Sequence, residues 1–362
     1  MRNWVQQFNK TLDFSDTADI AQWIIQEAMA IQQIPAPTFD EAKRAAYVRE
    51  RFAALGLQDI ETDSAHNVYG RLAGVKGGAR AVMLSAHTDT VFGHEIDLTL
   101  RHEQGLIYGP GLGDNSIGVA GMLGLIEWMR RASLTPECDL WFVATTGEEG
   151  LGDLIGMRAA YETLKSRIGQ VINIEGLALG HIYHAGIAVK RLKITARAEG
   201  GHSWLHFGRS SAIHALVQLG ARITSLHPPT NPRTTYNIGM IEGGISVNTI
   251  AAEASMLLDM RSEDQHALKH LEDQVRAHIR GLTTQEQSFE IEVVGNRPSG
   301  RIAADHPLVL GALAALETVG LRGALENGST DGNIPLAAGC PTVTVGITRG
   351  GNAHRTDEFV ET

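Results

Sequence analysis

Five acidic or histidine-bearing groups in this chain stand just beyond short apolar runs or in a glycine turn. His87-x-Asp89 follows AVMLSA, Glu148-Glu149 follows LWFVATT, Glu175 follows VINI, and His354 lies in the loop after PTVTVGI. Asp114 occupies the turn GPGLGDNSIG, ahead of an apolar helical stretch. A lone Asp or His at a strand end is most often a turn or capping residue. Together, however, two imidazoles and three carboxylates supply what a pair of zinc ions needs when one carboxylate bridges them. Charge balances too, because two Zn²⁺ meet Asp114, Glu149, Glu175 and a bridging hydroxide, which limits the penalty of burying the centre. That hydroxide is the natural nucleophile, since metal coordination lowers the pKa of water toward neutrality. Adjacent Glu148 and Glu149 need separate tasks, one as ligand and one as proton acceptor. Asp89, two residues beyond His87, points to the same side in extended chain and can orient the imidazole through its second nitrogen.

Positioning these groups requires a sheet. The four apolar runs suit strands buried on both faces, and VAGMLGLIEWMRR between them reads as a helix, so strands alternate with helices in a mostly parallel sheet covered on both sides. In such α/β sheets, ligands bind beyond the carboxyl ends of the strands. Two helices are expected earlier, one with Asp16 as its cap and apolar residues from Ile20 to Ile31, the other opened by a Thr38-x-x-Glu41 capping box and closed at Gly56. Neither implies chemistry. Between residues 188 and 296 the order of elements becomes βαββαβ, that of a split βαβ, ferredoxin-like α+β insertion. The chain thus divides into one domain made of residues 1–187 and 297–362 and a second made of 188–296.

Bulk properties narrow the function. The chain has 362 residues, 43% hydrophobic and 20% charged, with a formal charge of −10. No basic run is present to neutralise phosphates, which argues against nucleic acid and anionic membrane as partners and favours a small substrate. Only Cys138 and Cys340 occur, far apart, so neither a disulfide framework nor a thiolate zinc site is expected. With no apolar leader and no run long enough to span a membrane, a cytoplasmic setting is expected.

The motifs HTDTVF, GLGDNSIG, TTGEEGLGD, INIEG, GGHSW and GNAHRTDEFV resemble, in order and over nearly the whole chain, the signatures of the dizinc metallopeptidase family that includes peptidase T, carboxypeptidase G, aminoacylase and succinyl-diaminopimelate desuccinylase. The resemblance implies a zinc-peptidase-like catalytic domain with an inserted lid that makes a homodimer. It implies two Zn²⁺ per subunit, with Co²⁺ or Mn²⁺ as substitutes: one held by His87, Asp114 and Glu175, the other by Asp114, Glu149 and His354. Glu148 then matches the general base, and His202 the lid histidine that stabilises the oxyanion in the partner's site. Asn248 in GGISVNTIA and Arg261 in LLDMRS resemble lid residues that hold the substrate. Glu175 stands where some peptidases of the group have aspartate, which bears on substrate class.

GNAHRTDEF looks nearer to peptidase T, so small peptides are the expected substrates. N-acyl amino acids are the alternative, because a deacylase or desuccinylase breaks an amide with the same chemistry. A serine hydrolase is disfavoured by the lack of a G-x-S-x-G elbow, and a dinucleotide site by the spacing of GPGLG. A non-catalytic binding protein would be signalled by loss of a ligand or of the base, and none is lost.

Overall fold

Along the strand Ala81–His87, Leu84 and Ala86 join one buried cluster while Ala81 and Met83 join another on the opposite face. The strand Leu140–Thr145 repeats the pattern, with Phe142 and Ala144 on one side and Trp141 and Val143 on the other. This period-2 alternation of apolar side chains on both faces is what a sheet covered by two helical layers demands. The computed structural model of the chain describes residues 2–76 and 80–362. They form two compact units, Met1–Gly186 with Gly300–Thr362, and Ile187–Ser299.

In the first unit the four central strands Leu140–Thr145, Ala81–His87, Ile168–Leu179 and Thr342–Gly346 lie side by side and parallel. Antiparallel strands flank them: Val68–Leu72 and Gln58–Thr62 on one margin, His181–Gly186 and Gly300–Arg301 on the other. One face packs on helices Thr17–Gln32, Ala42–Ala54 and Ile117–Arg131 through Ala28, Ile31, Val48, Phe52, Met122 and Leu123. The other packs on helix Ile155–Leu164 through Met157, Ala160 and Leu164. Burying each such large apolar side chain contributes roughly 1.5–3 kcal/mol before the entropy of ordering is subtracted. The result is a rigid frame whose parallel strands end along one edge.

The second unit is a four-stranded antiparallel sheet in the order Thr234–Gly243, Glu253–Ser262, Ala188–Ala198, Gln287–Arg297. Helices Ala212–Thr224 and Gln265–Arg280 pack on it through Leu216, Leu219, Leu271 and Val275. With its first strand central and its second at the edge, this is the ferredoxin-like arrangement that the βαββαβ order predicts.

Two sequence expectations fail locally. Helix Ala42–Ala54 begins after Glu41, but no side chain caps it there. The Thr38 hydroxyl donates instead to Asp89 Oδ2 at 2.9 Å, and Glu41 Oε1 accepts the N–H groups of Phe39 and of distant Gly147 at 3.0 and 3.1 Å. The spacing of a capping box is there, but tertiary partners outcompete the helix end. Asp16 likewise precedes its helix without a side-chain capping bond. No helix among the described residues is long and apolar enough to cross a membrane.

Candidate active site

His87 is the last residue of its strand and is 2% exposed. Its Nδ1 faces the Asp89 carbonyl at 3.2 Å and the Asp89 carboxylate at 3.5 Å, which leaves Nε2 aimed the other way. Asp89, fully buried, does more than orient this ring. Its two oxygens accept the backbone N–H groups of Glu148 and Glu149, both at 2.9 Å. One carboxylate therefore fixes the end of one strand against the turn that follows its parallel neighbour. Burial alone would raise the Asp89 pKa, but the neighbouring imidazole and these N–H bonds leave it lowered.

Across from this corner, Asp114 comes from the irregular turn Leu112–Ser116 that leads into helix Ile117–Arg131. Its Oδ1 lies 3.1 Å from His87 Nε2 and its Oδ2 lies 3.2 Å from His354 Nε2. Glu149 Oε1 is 3.0 Å from the same His354 nitrogen, and Glu175 Oε2 is 3.4 Å from His87 Nε2. Glu175 is placed by a bulge: the pairing between its strand and Thr342–Gly346 jumps from Ile174↔Val345 to Leu179↔Gly346 just after it. Asn173 steadies it by donating to Oε1 at 3.1 Å. His354 sits in a left-handed conformation, φ 66°, on a loop, and its side chain is half exposed.

The charges in this cluster are unequal. Hydrogen bonds to Asp114 and Glu149 lift the His354 pKa to about 10. Burial opposes the charge on His87, yet Glu175, Asp114 and Asp89 raise its pKa well above the ordinary value. Burial raises Glu175, aided by Asp114 and Glu149 and opposed by His87. Asp114 is lowered by both imidazoles despite its burial. The carboxylates thus hold protons on the imidazoles, the behaviour of a cluster built around positive charge. The donor set fits two cations. Ligand atoms of His87, Asp114 and Glu175 lie within 4.8 Å of one another, as do those of Asp114, Glu149 and His354. The two triads share only Asp114, and its two oxygens face different imidazoles. A third grouping, His87 with Glu148 and Glu149, is also close enough, but Glu149 is already directed at His354.

The remaining sequence candidates belong to the second unit. His202 and Asn248 come together there, because the short bridge Gly201–His202 pairs His202 with Thr249 and the Asn248 carbonyl accepts the Ser203 N–H at 3.0 Å. The exposed His202 ring accepts backbone N–H groups of Trp204 and Leu205 at Nδ1, at 3.2 and 3.4 Å. In the neutral ring its proton therefore rests on Nε2. Arg261 lies elsewhere on the sheet, where Asp259 takes its Nε at 2.7 Å.

Sequence reasoning missed Thr38 and Asn173, whose side chains hold those of Asp89 and Glu175, and Glu41, which accepts the N–H of Gly147 beside Glu148. Asp331 is also 1% exposed, accepts from Thr145 Oγ1 at 2.6 Å, and is pushed by burial up to about 7. Asp331 lies in the polar run NGSTDGN, which reads as an ordinary turn and carries no signal for it. Thr38 and Glu41 gave none beyond the misleading box.

Residues 83–362 match the description of peptidase family M20/M25/M40. The chain is 22% identical over 363 residues to a succinyl-diaminopimelate desuccinylase from Acidovorax ebreus (strain TPSY), covering 90% of each chain. Its fold is similar to that of a tripeptidase from Staphylococcus aureus subsp. aureus mu50, with a TM-score of 0.76, 24% identity and coverage of 94% of this chain and 93% of the other. It is also similar to the aminopeptidase PepT from Bacillus cereus ATCC 10987, with a TM-score of 0.74, 22% identity and the same coverage. With more than half of its length in the family match and a cluster suited to metal at the expected strand ends, the chain belongs to peptidase family M20/M25/M40 and is a hydrolase of amide bonds.

Proposed function

We propose that this enzyme is a dizinc peptidase of small peptides, with His87, Asp114 and Glu175 holding one ion and Asp114, Glu149 and His354 the other. The observation that carries the reading is the placement of Asp114, whose two oxygens face the two imidazoles at 3.1 and 3.2 Å. When bound, the ions supply Lewis acidity to the scissile carbonyl and lower the pKa of water at neutral pH. Glu148, next to the ligand Glu149 and anchored by its own N–H on Asp89, takes a proton from the attacking water and delivers it to the leaving nitrogen. Asp89 fixes the His87 ring and the Glu148-Glu149 backbone in one piece. His202, with its Nε2 proton free to donate, stabilises the oxyanion of the partner subunit's substrate, and Asn248 and Arg261 hold the substrate's carbonyl or carboxylate. Zinc is the expected ion, although nitrogen and oxygen ligands also accept cobalt and manganese.

A homodimer through the residue 188–296 domain is supported by its own surface. The edge strand Thr234–Gly243 has unpaired backbone on one side and exposes Met240 and Ile241, and the adjoining helix Ala212–Thr224 exposes Ile213 and Val217. An apolar edge of this kind calls for a partner. Two free cysteines agree with the cytoplasmic setting we assign.

The deacylase reading also has a specific support, since the desuccinylase relative is aligned over 90% of the chain, against 94% for the peptidases. A panel of di- and tripeptides and of N-acetyl and N-succinyl amino acids, assayed with and without chelator, decides between them. Chelator-sensitive kcat/KM highest on tripeptides supports the peptidase. Turnover confined to the N-acyl amino acids overturns it in favour of the deacylase, and chelator-insensitive turnover removes the metal mechanism.

A further inference from the structure

Asp114 and His354 lie 3.2 Å apart, yet one stands in an irregular turn and the other in an irregular loop. Something other than regular structure has to fix their separation. Four residues beyond His354, Glu358 is fully buried. Its Oε1 accepts the backbone N–H groups of Gly113 at 2.6 Å and of Asp114 at 2.9 Å, and its own carbonyl accepts the N–H of Gly109 at 2.9 Å. Its other oxygen is buried with no hydrogen-bond partner among the described residues. The approach depends on glycine, because a Cβ on Gly113 would stand 2.7 Å from Leu177 and 3.1 Å from Glu358 Oε1.

The loop between His354 and Glu358 is closed on itself. Asn352 and His354 both take left-handed backbone, with φ of 59° and 66°. The Arg355 N–H reaches the Asn352 carbonyl at 3.0 Å, and the Glu358 N–H reaches the Arg355 carbonyl at 3.0 Å. Asn352 Nδ2 and Arg355 Nε both donate to the Asp357 carboxylate, at 3.1 and 2.8 Å. A displacement of Glu358 is therefore passed to His354 over a short, cross-braced segment. A buried acid is a costly way to fill space, since an apolar side chain of similar size packs without desolvating a carboxyl group. What the acid provides is an acceptor for two converging N–H groups.

We propose that Glu358 is a positioning residue for the metal centre, clamping the Gly113–Asp114 backbone and, through the closed loop 352–358, setting the distance between Asp114 and His354. This rests on the two-ion reading given above. It assigns Glu358 no ligand bond and no contact with substrate. Residues of this kind, which hold ligands rather than metals, change metal affinity by roughly 10–100-fold when removed.

The test uses the full chain, stripped of metal with a chelator and titrated with Zn²⁺ against a chromophoric competitor, for wild type, E358Q, E358D and E358L. Circular dichroism of each metal-free form reports folding. The glutamine carbonyl can occupy the Oε1 position, so E358Q should bind both ions within about threefold of wild type. E358D, one methylene too short, and E358L should each lose roughly 10–100-fold in affinity, more for the ion on the His354 side, while keeping the wild-type spectrum. Wild-type affinity in E358D and E358L overturns the proposal, as does E358Q binding as weakly as E358L. If E358L does not fold, the contrast between E358Q and E358D decides alone. Should wild type itself bind fewer than two ions, the two-ion reading fails and this inference falls with it, a result distinct from two tight ions in every variant.

Discussion

At the end of strand Ala81–His87 the polar groups are buried and fixed from several directions: Asp89 alone answers Thr38, two backbone N–H groups and an imidazole. In the other unit His202 is exposed, and its ring is held by two long bonds from residues only two and three positions away. The first arrangement suits ligands, which must be preset because a misplaced donor forfeits metal affinity. The second suits a group that meets its target only when substrate and partner subunit are in place. Rigidity and exposure thus separate the residues proposed to hold metal from those proposed to meet substrate.

The sharpest test of that contrast pairs one residue from each region. Glu148→Gln should keep both metals and lower kcat by at least about 100-fold, the scale for losing a positioned proton carrier. His202→Ala should keep fold and metals as well and lose roughly 10²–10³ in kcat, as for an oxyanion donor. Mixed and exchanged subunits of the two variants then distinguish the regions. Each heterodimer has one site with both defects and one with neither if His202 acts on the partner's substrate, so activity returns. Verified heterodimers that stay inactive would break the assignment.

Thr38→Val should have a smaller effect. It removes a charge-assisted bond to Asp89 Oδ2, worth about 1.5–3 kcal/mol if left unreplaced in a buried site. Urea unfolding should show a loss of that order and kcat a fall of about tenfold, with Thr38→Ser restoring both. Unchanged kcat would confine Thr38 to packing.

These residues mark how far the sequence could be read. The strand ends were legible because sheets buried on both faces produce continuous apolar runs, and a carboxylate or imidazole after such a run has few ordinary explanations when four recur. The βαββαβ insertion was legible for the same reason, with periods of 2 and 3.6 alternating cleanly from Val189 to Val294. Thr38 and Glu41 were misread because T-x-x-E spacing is satisfied equally by a helix cap and by two residues reaching elsewhere. Only the packing of helix Ala42–Ala54 beside the sheet supplies Asp89 and Gly147 as better partners. Glu358 was hidden by its distance of some 245 positions from the turn that it clamps.

A further effect, on stability and not on turnover, concerns pH. Burial raises the Asp331 pKa from 3.8 to about 7. The folded state therefore holds this proton more tightly than the unfolded chain, so the contribution is fully present below about pH 4 and is lost as pH rises through 7. Asp331→Asn, which cannot ionise, should flatten the stability profile of the protein across that window, by a few kcal/mol at most. Parallel profiles for the two proteins in denaturant titrations from pH 4 to pH 8 would show that Asp331 ionises as readily folded as unfolded.

The central claim, that Asp114 is shared by two ions with one imidazole each, is tested most directly by counting metal. Elemental analysis after equilibration with Zn²⁺ should find two ions per wild-type chain, one retained in His87→Ala, the other retained in His354→Ala, and neither held tightly in Asp114→Ala. A single ion in wild type, or loss of the same one ion in all three variants, would contradict it.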